Sequence, residues 1–146
     1  MLSICIVSWN TRDLLRECLR AVAQHHPLEE YEIIVVDNAS PDASAQMVKE
    51  EFPHVRLLAN SENLFYARAN NQALEAARGD LIMLLNPDTQ VKDGCLTRLA
   101  ELLRGRPEAG AVAPRLTFPD GSTQSSCRSF PTPRALLMDM LGMARL

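Results

Sequence analysis

The sequence predicts an α/β domain in which a mostly parallel sheet lies between two layers of helices. Short apolar runs rich in β-branched residues alternate along the chain with segments whose apolar residues recur at helical spacing. The runs are apolar at nearly every position, as expected for strands that are covered on both faces. The alternation favours parallel pairing, because each helix carries the chain back across the sheet.

The predicted elements follow one another in that order. Strands are predicted at residues 3–8, 32–36, 55–59 and 81–85, with a strand fragment at 111–113. Helices are predicted at residues 14–22, 65–77 and 93–103, and a further helix begins with Ser40 as N-cap and Pro41 as first residue. After residue 114, a turn at 119–121 predicts a short hairpin and residues 134–146 predict an apolar helix. The result is a Rossmann-like three-layer α/β/α domain followed by a shorter region.

Composition excludes several classes of protein. The 146 residues carry a formal net charge of −3, so no broad cationic surface is available for nucleic acid. No apolar stretch approaches the roughly 20 residues that span a bilayer, and the N-terminal segment lacks the basic start of a signal peptide. The scattered cysteines, Cys5, Cys18, Cys95 and Cys127, predict buried free thiols. We therefore expect a cytoplasmic protein, with peripheral association at the inner membrane face as the second option.

Polar side chains follow three of the predicted strands at their carboxyl ends. Ser8 and Asn10 follow the first strand, Asp37 follows the second, and Asn86 and Asp88 follow the fourth. Ligands of parallel sheets bind at this edge, but the chain has neither a GxGxxG nor a GxxxxGK[ST] loop to hold phosphates through backbone amides. A divalent cation such as Mg²⁺, bound by Asp88 and shared with a diphosphate, would neutralise the phosphate charge instead.

Four segments in a fixed order carry a resemblance to a known family. VSWN, VVDNASPDAS, NLFYARANNQAL and GDLIMLLNPDT resemble the amino-terminal half of family-two glycosyltransferases of the GT-A type, and FPDGSTQSSCRSFPTP is similar to their rhamnosyltransferase-like subgroup. The resemblance implies a partial GT-A fold and a nucleotide-sugar donor. It implies metal-assisted inverting transfer of the sugar to a glycan or lipid-linked acceptor in polysaccharide biosynthesis, with Mg²⁺ or Mn²⁺. The subgroup makes dTDP-rhamnose the first candidate donor and a UDP-sugar the second.

The resemblance also implies roles for individual residues. Asp37 matches the acid that accepts hydrogen bonds from the base or ribose of the nucleotide, and Ser8 and Asn10 match the wall of the nucleotide pocket. Asn71 matches an asparagine of the segment that follows the third strand. Asp88 matches the last acid of the DxD motif, which ligates the metal.

Two positions depart from the family's pattern. Asn86 stands where the DxD motif has its first acid, so one charge is missing and metal should be held less tightly. Phe65 stands where relatives commonly have glycine. Because phenylalanine resists positive φ, we expect the loop 60–65 to take a different path.

The acceptor side of the resemblance is incomplete. Residues 1–114 correspond to the donor-binding domain, and residues 115–146 correspond to the start of the acceptor-side region. The general base of relatives lies beyond the position of Leu146, so no catalytic base is assigned and the chain alone is expected to be inactive. The apolar tail predicts docking on the domain itself or on a second copy of the chain, or a chain that was cut before its natural partner elements.

Other interpretations remain open. Asp37 and Asp88 are alternatively caps of the helix or turn that follows each of them, and Asn10 caps the first helix as readily as it faces a ligand. A non-catalytic nucleotide-sugar-binding or assembly module is consistent with the missing base. A sugar nucleotidyltransferase is a third class, although the glycine-rich basic loop that it needs after the first strand is absent.

Overall fold

The structure is a computed structural model that describes residues 1–126 and 132–140. Two compact units make up the chain, Met1–Val112 and Ala113–Leu146. Cys127 and the last part of the predicted tail helix, residues 141–146, lie outside the described residues.

The first unit alternates strands and helices throughout. Its strands are β1 (Leu2–Ser8), β2 (Tyr31–Asp37), β3 (Arg56–Ala59) and β4 (Leu81–Leu85). Its helices are α1 (Arg12–Gln24), α2 (Ser44–Glu51), α3 (Phe65–Ala76) and α4 (Cys95–Arg104). All pairings are parallel, and the strand order is β3-β2-β1-β4. The predicted α/β class and parallel sheet are confirmed.

Helices cover the two faces of the sheet unequally. The larger apolar cluster joins Ile4 and Ile6 of β1 to buried side chains of α1, α2 and α4. The smaller cluster joins Cys5 and Val7 of β1 to α3 alone. Cys5 and Cys18 are buried free thiols, as the sequence predicts. Strands β1 and β2 therefore form the centre of a three-layer α/β/α unit.

The prediction that β4 is covered on both faces is wrong. Ile82 and Leu84 are 39% and 52% exposed, whereas Leu85 is buried. The register pairs Leu84 with Cys5, which places it on the face that only α3 covers. Because α3 packs on β1 and β2, no helix of the first unit covers the same face of the edge strand β4.

Several predicted boundaries also need correction. Helix α2 begins at Ser44 after Ala43, which has a left-handed backbone, so Ser40 and Pro41 do not start it. Ser40 instead accepts a hydrogen bond from the backbone N–H of Asn10. Helix α4 begins two residues later than expected, and residues 111–113 form no strand.

A hydrogen-bonded cluster joins three strands at the amino edge of the sheet. Ser3 Oγ donates to Glu32 Oε1 over 2.7 Å and accepts from the backbone N–H of Gly79 over 2.8 Å. Arg78 donates to the same carboxylate through its backbone and its guanidinium. Burial acts to raise the pKa of Glu32, but the hydrogen bonds from Ser3 and Arg78 outweigh it and hold that pKa below its ordinary value. This cluster fixes β4 beside β1 at the end opposite the polar strand ends.

The second unit contains a short hairpin and a helix. The hairpin pairs β5 (Leu116–Thr117) with β6 (Thr123–Gln124) in antiparallel fashion, and α5 spans Pro133–Met140. Asp120 Oδ1 accepts the backbone N–H of Ser122 over 2.9 Å, and Gly121 has a φ of 84°. The predicted turn is confirmed. None of the helices formed by the described residues combines the length and apolar character needed to cross a bilayer.

Replacing Gly79 with alanine should destabilise the first unit. A Cβ at this position would lie 2.7 Å from Met1 O and from Ser3 N, both of which are backbone atoms. We expect Gly79→Ala to lower the free energy of unfolding by about 1–3 kcal/mol, as for other overpacked sites. Urea denaturation measures this loss. Gly110→Ala is the control, because nothing lies within 4 Å of a Cβ there; equal losses in both variants would contradict the prediction.

Candidate functional site

The carboxyl ends of β1, β2 and β3 are level with one another. Ser8 pairs with Asp37 in the register, and Asp37 pairs with Ala59. The backbone N–H of Asn38 continues the ladder to Ser8 O over 2.9 Å. The buried hydroxyl of Ser8 lies 2.9 Å from Thr11 Oγ1, so Ser8 positions the start of the loop into α1. The loops after these strands consequently meet at one edge.

Asp37 is buried there with one carboxylate oxygen unpaired. It is 3% exposed, and its Oδ2 accepts the backbone N–H of Ser40 over 3.0 Å. Among the described residues its Oδ1 has no hydrogen-bond partner. The interpretation of Asp37 as a cap of the next helix is incomplete, because α2 begins only at Ser44 and one oxygen stays free. Buried polar groups are nearly always satisfied, so a free carboxylate oxygen favours a bound donor.

An open depression lies between the loops that follow β1 and β2. It has a volume of about 480 Å³ and is lined by Asn10, Thr11, Arg12, Asp13, Leu14 and Asp42. Asn10 has a φ of 57°, and its N–H donates to Ser40 Oγ over 2.9 Å. The N-cap of α1 is Thr11, so Asn10 does not cap that helix.

Asp42 fastens the two loops around this depression. Its Oδ2 accepts the backbone N–H of Arg12 over 2.8 Å, and its Oδ1 accepts from the backbone and hydroxyl of Ser44. Burial acts to raise the pKa of Asp42, but the hydrogen bonds from Ser44 and Arg12 outweigh it and keep that pKa below its ordinary value. Asp42 is therefore an ionised clamp between the starts of α1 and α2.

Asn38 connects the end of β2 to the start of α3. Its Oδ1 accepts from Asn60 Nδ2 over 3.0 Å and from the backbone N–H of Leu64 over 3.4 Å. Its Nδ2 donates to Phe65 O over 3.4 Å. Asn38 is fully enclosed, so these amide contacts replace water and fix the loop. Sequence reasoning missed this role; the available signal was a second polar residue directly after Asp37.

Phe65 adopts the left-handed backbone that the sequence suggests it should avoid. Its φ is 61°, and its N–H donates to Asn63 Oδ1 over 2.8 Å. A non-glycine residue in this region costs roughly 1–3 kcal/mol and persists only where its surroundings fix it. The expectation that phenylalanine avoids positive φ at this position is therefore wrong, whereas the different path of the loop 60–65 stays a prediction. The side-chain amides of Asn38 and Asn63 hold the strained residue in place.

Asn86 and Asp88 lie exposed beyond the end of β4. The hydroxyl of Tyr66 donates to Asn86 Oδ1 over 3.4 Å, and Cys18 Sγ lies 3.6 Å from Asn86 O. Burial raises the pKa of Cys18 to about 12, and the nearby charge of Asp88 adds to that rise. Gly94 is the N-cap of α4 and α4 has no side-chain cap, so Asp88 does not cap that helix.

The residues at this edge suit a shared cation and do not form a complete metal site. No group of three His, Cys, Asp or Glu side chains converges anywhere in the described part of the chain. Asp88 offers one exposed carboxylate and Asn86 an amide oxygen. Mg²⁺ is commonly held by one or two carboxylates together with substrate phosphates. The donor set therefore fits a cation that a diphosphate helps to bind.

Asn71 and its neighbour Asn70 differ in burial and in hydrogen bonding. Asn71 is exposed on α3, whereas Asn70 is buried and donates to Tyr66 O over 2.9 Å. The assignment of Asn71 to the donor site stays a prediction. Of the sequence-predicted site residues, Ser8, Asn10 and Asp37 are joined by the register and by contacts through Ser40. Asn86 is linked to the same edge through Tyr66 of α3.

Asn38→Asp should loosen the start of α3 in a pH-dependent way. The substitution turns the donor that faces Phe65 O into a carboxylate oxygen, which repels the carbonyl. We expect the free energy of unfolding to fall by about 1–3 kcal/mol at neutral pH. The new carboxyl is harder to ionise in the folded state, so its protonation at lower pH restores a donor and shrinks the loss.

Urea denaturation at two pH values measures both effects. Asn71→Asp is the matched control, since exposed substitutions usually change stability by less than about 0.5 kcal/mol. A loss for Asn38→Asp that is equal at both pH values would contradict this account of the amide.

Comparison with proteins of known sequence identifies close relatives. The model of the family described as glycosyl transferase family 2 matches residues 3–141. An N-acetylglucosaminyl-diphospho-decaprenol L-rhamnosyltransferase of Mycobacterium tuberculosis is 32% identical over 111 residues, which cover 68% of this chain and 36% of the relative. A poly(ribitol-phosphate) beta-glucosyltransferase of Bacillus spizizenii is 33% identical over 66% of this chain and 16% of the relative. The chain thus spans about a third or less of the length of these relatives.

Solved structures show the same architecture. The mannosyltransferase PcManGT from Pyrobaculum calidifontis, in complex with GDP-Man and Mn²⁺, superposes with a TM-score of 0.64 at 25% identity over 70% of this chain and 32% of that chain. TarS 1-349 from S. aureus, in complex with UDP, superposes with a TM-score of 0.66 at 20% identity over 81% of this chain and 39% of that chain, which supports the fold alone. With a parallel sheet of GT-A type and a family match over nearly its whole length, the chain belongs to glycosyl transferase family 2.

Proposed function

We propose that the carboxyl edge of the sheet binds the nucleoside diphosphate of a sugar donor, so that residues 1–114 serve as the donor-binding part of a glycosyltransferase. The observation that carries this proposal is the buried, unpaired Oδ1 of Asp37. A ligand that donates one hydrogen bond to this oxygen removes the penalty of burying it alone. A pyrimidine base offers such a donor at its ring N–H, next to carbonyl oxygens.

The other polar groups suit the remaining parts of such a ligand. Asn10 borders the depression and, like Asp37, is hydrogen-bonded to Ser40, so a ribose that follows the base would meet Asn10. Asp88 and Asn86 extend from the end of β4, where the diphosphate would need a counter-charge. A divalent cation between Asp88 and the diphosphate would offset the negative charge that develops on the departing oxygen. In this arrangement the base of the nucleotide lies at the end of β2 and its phosphates lie at the end of β4.

Inverting transfer sets a further requirement. An acceptor hydroxyl attacks the anomeric carbon from the face opposite the nucleoside diphosphate, the carbon–oxygen bond to the diphosphate breaks, and a general base takes the proton of the hydroxyl. We assign no residue of this chain to that base. Residues 115–146 are proposed to begin the acceptor-side region of the enzyme.

The proposed donor is dTDP-rhamnose, with a UDP-sugar as the second candidate. The similarity to a protein named as an L-rhamnosyltransferase supports the first. Thymine and uracil present the same N–H between two carbonyls, so Asp37 fits both. Competition between dTDP and UDP for the chain distinguishes them, and a clear preference for UDP would reverse the order.

Asp37→Asn should weaken nucleotide binding without unfolding the protein. The amide keeps an acceptor for the N–H of Ser40 but places a donor where Oδ1 had been, so it no longer accepts from the base. Loss of a hydrogen bond to a charged group raises the dissociation constant for UDP or dTDP by about 10- to 150-fold. Calorimetric titration measures this change. Binding of inorganic pyrophosphate with Mg²⁺ should be unaffected, and unchanged affinity for both nucleotides would refute the role of Asp37.

Asp88→Asn should remove the metal-dependent part of binding. In the wild type, UDP or dTDP with Mn²⁺ at about 100 times the dissociation constant should stabilise the fold by roughly 2.7 kcal/mol. The variant should lose most of this gain and match the wild type when EDTA replaces the metal. Asp93→Asn is the control, because Asp93 is an exposed aspartate in the same loop before α4. A thermal shift equal to that of the wild type in the presence of Mn²⁺ would exclude Asp88 as a ligand.

A further inference from the structure

Phe65 is a large apolar residue that is neither relaxed nor buried. Its φ of 61° lies in the left-handed region, and the residue is 77% exposed. Among the described residues, the other non-glycine residues with positive φ are Asn10, Ala39 and Ala43, whose side chains are small or polar. Burial normally compensates for an aromatic residue in a strained backbone, but here it does not. Neither the stability of the fold nor its packing accounts for the ring.

Hydrogen bonds nevertheless hold both the backbone N–H and the carbonyl of Phe65. Asn63 Oδ1 accepts its N–H over 2.8 Å, and Asn38 Nδ2 donates to its carbonyl over 3.4 Å. Asn38 is fully enclosed and makes two further hydrogen bonds to the same loop. The position of Phe65 therefore follows from the end of β2, where Asn38 directly succeeds Asp37.

The hydrogen bond from Asn38 Nδ2 to Phe65 O places Phe65 at the same edge as the unpaired Oδ1 of Asp37, the residue before Asn38. Asp37 Oδ1 suits the hydrogen-bonding rim of a base, but a base also has two apolar faces that a carboxylate does not satisfy. The nearby contacts of Asp37 and Asn38 are polar, made by Ser40, Asn60 and backbone groups. Aromatic side chains stack on any base, because every base has a π face.

We infer that the ring of Phe65 covers one face of the nucleobase of the donor, and that its strained backbone is retained for this contact. The inference rests on the proposed nucleotide site and deepens it by naming the residue that holds the base from its face. Asp37 recognises the rim of the base, and Phe65 contributes affinity without distinguishing thymine from uracil.

Four variants test this role by calorimetric titration with UDP and dTDP. Phe65→Gly should raise the melting temperature, because glycine adopts positive φ without strain, yet weaken nucleotide binding by about 5- to 150-fold, the range that base stacking on an aromatic ring supplies. Phe65→Tyr should bind UDP and dTDP as tightly as the wild type does. Phe65→Leu should bind both nucleotides more weakly, because leucine keeps the bulk of the side chain without its π face. Ala43→Gly is the matched control: it relieves the same kind of strain at a φ of 63° and should raise the melting temperature without changing affinity.

Inorganic pyrophosphate, which carries no base, locates the contact. Its binding with Mg²⁺ should be equal in all four variants and the wild type. A Phe65→Gly variant that binds UDP and dTDP as tightly as the wild type, or that loses pyrophosphate to the same degree, would overturn the inference. If Phe65→Gly does not fold, equal affinities of Phe65→Leu and Phe65→Tyr would overturn it as well.

The two proposals fail in different ways. If Asp37→Asn weakens nucleotide binding while the Phe65 variants do not, the nucleotide site stands and the role of Phe65 is refuted. If the wild type binds neither UDP nor dTDP, both are refuted.

Discussion

The carboxyl edge of the sheet depends on the hydrogen bonds of two buried polar side chains at the end of β2, Asp37 and Asn38. The two residues use their side-chain polar atoms differently. Asn38 directs both its amide atoms inward, to Asn60, Leu64 and Phe65. Asp37 gives one oxygen to Ser40 and leaves the other unpaired among the described residues. Asn38 builds the loop, and Asp37 keeps an acceptor available. An apolar residue at either position would leave the loop without partners or the site without its acceptor.

Helix α3 packs on the sheet, and its first turn contacts residues at this edge. Small residues, Ala69 and Ala73, form its buried contact with β1 and β2, which lets the helix lie close to the strands. Its first turn then reaches both strand ends, through Phe65 to Asn38 and through Tyr66 to Asn86. Within the first unit, this helix does not extend over the neighbouring face of β4, where Ile82 and Leu84 are exposed.

The sequence predicted those features that depend on local pattern. Apolar runs located the four strands of the sheet, and helical spacing located α1, α3 and α4. Helix α2 was instead predicted from Ser40 and Pro41, which do not start it. Ser8, Asp37, Asn86 and Asp88 lie at or after strand ends, as predicted, and their roles in donor binding stay predictions. Boundaries set by tertiary contacts were missed: Ser40 bonds to Asn10 across two loops instead of capping α2, which no local rule anticipates. The left-handed backbone of Phe65 was missed because one of its two hydrogen-bond partners, Asn38, is distant in sequence.

The central claim is that Asp37 accepts a hydrogen bond from the base of a nucleoside diphosphate at the carboxyl edge of the sheet. A crystal structure of the chain with UDP or dTDP and Mn²⁺ tests it most directly. The account predicts a distance of about 2.7–3.2 Å between Asp37 Oδ1 and the ring nitrogen of the base, the normal range for an N–H···O hydrogen bond. A nucleotide bound elsewhere, or one whose base leaves Asp37 Oδ1 unpaired, would contradict it.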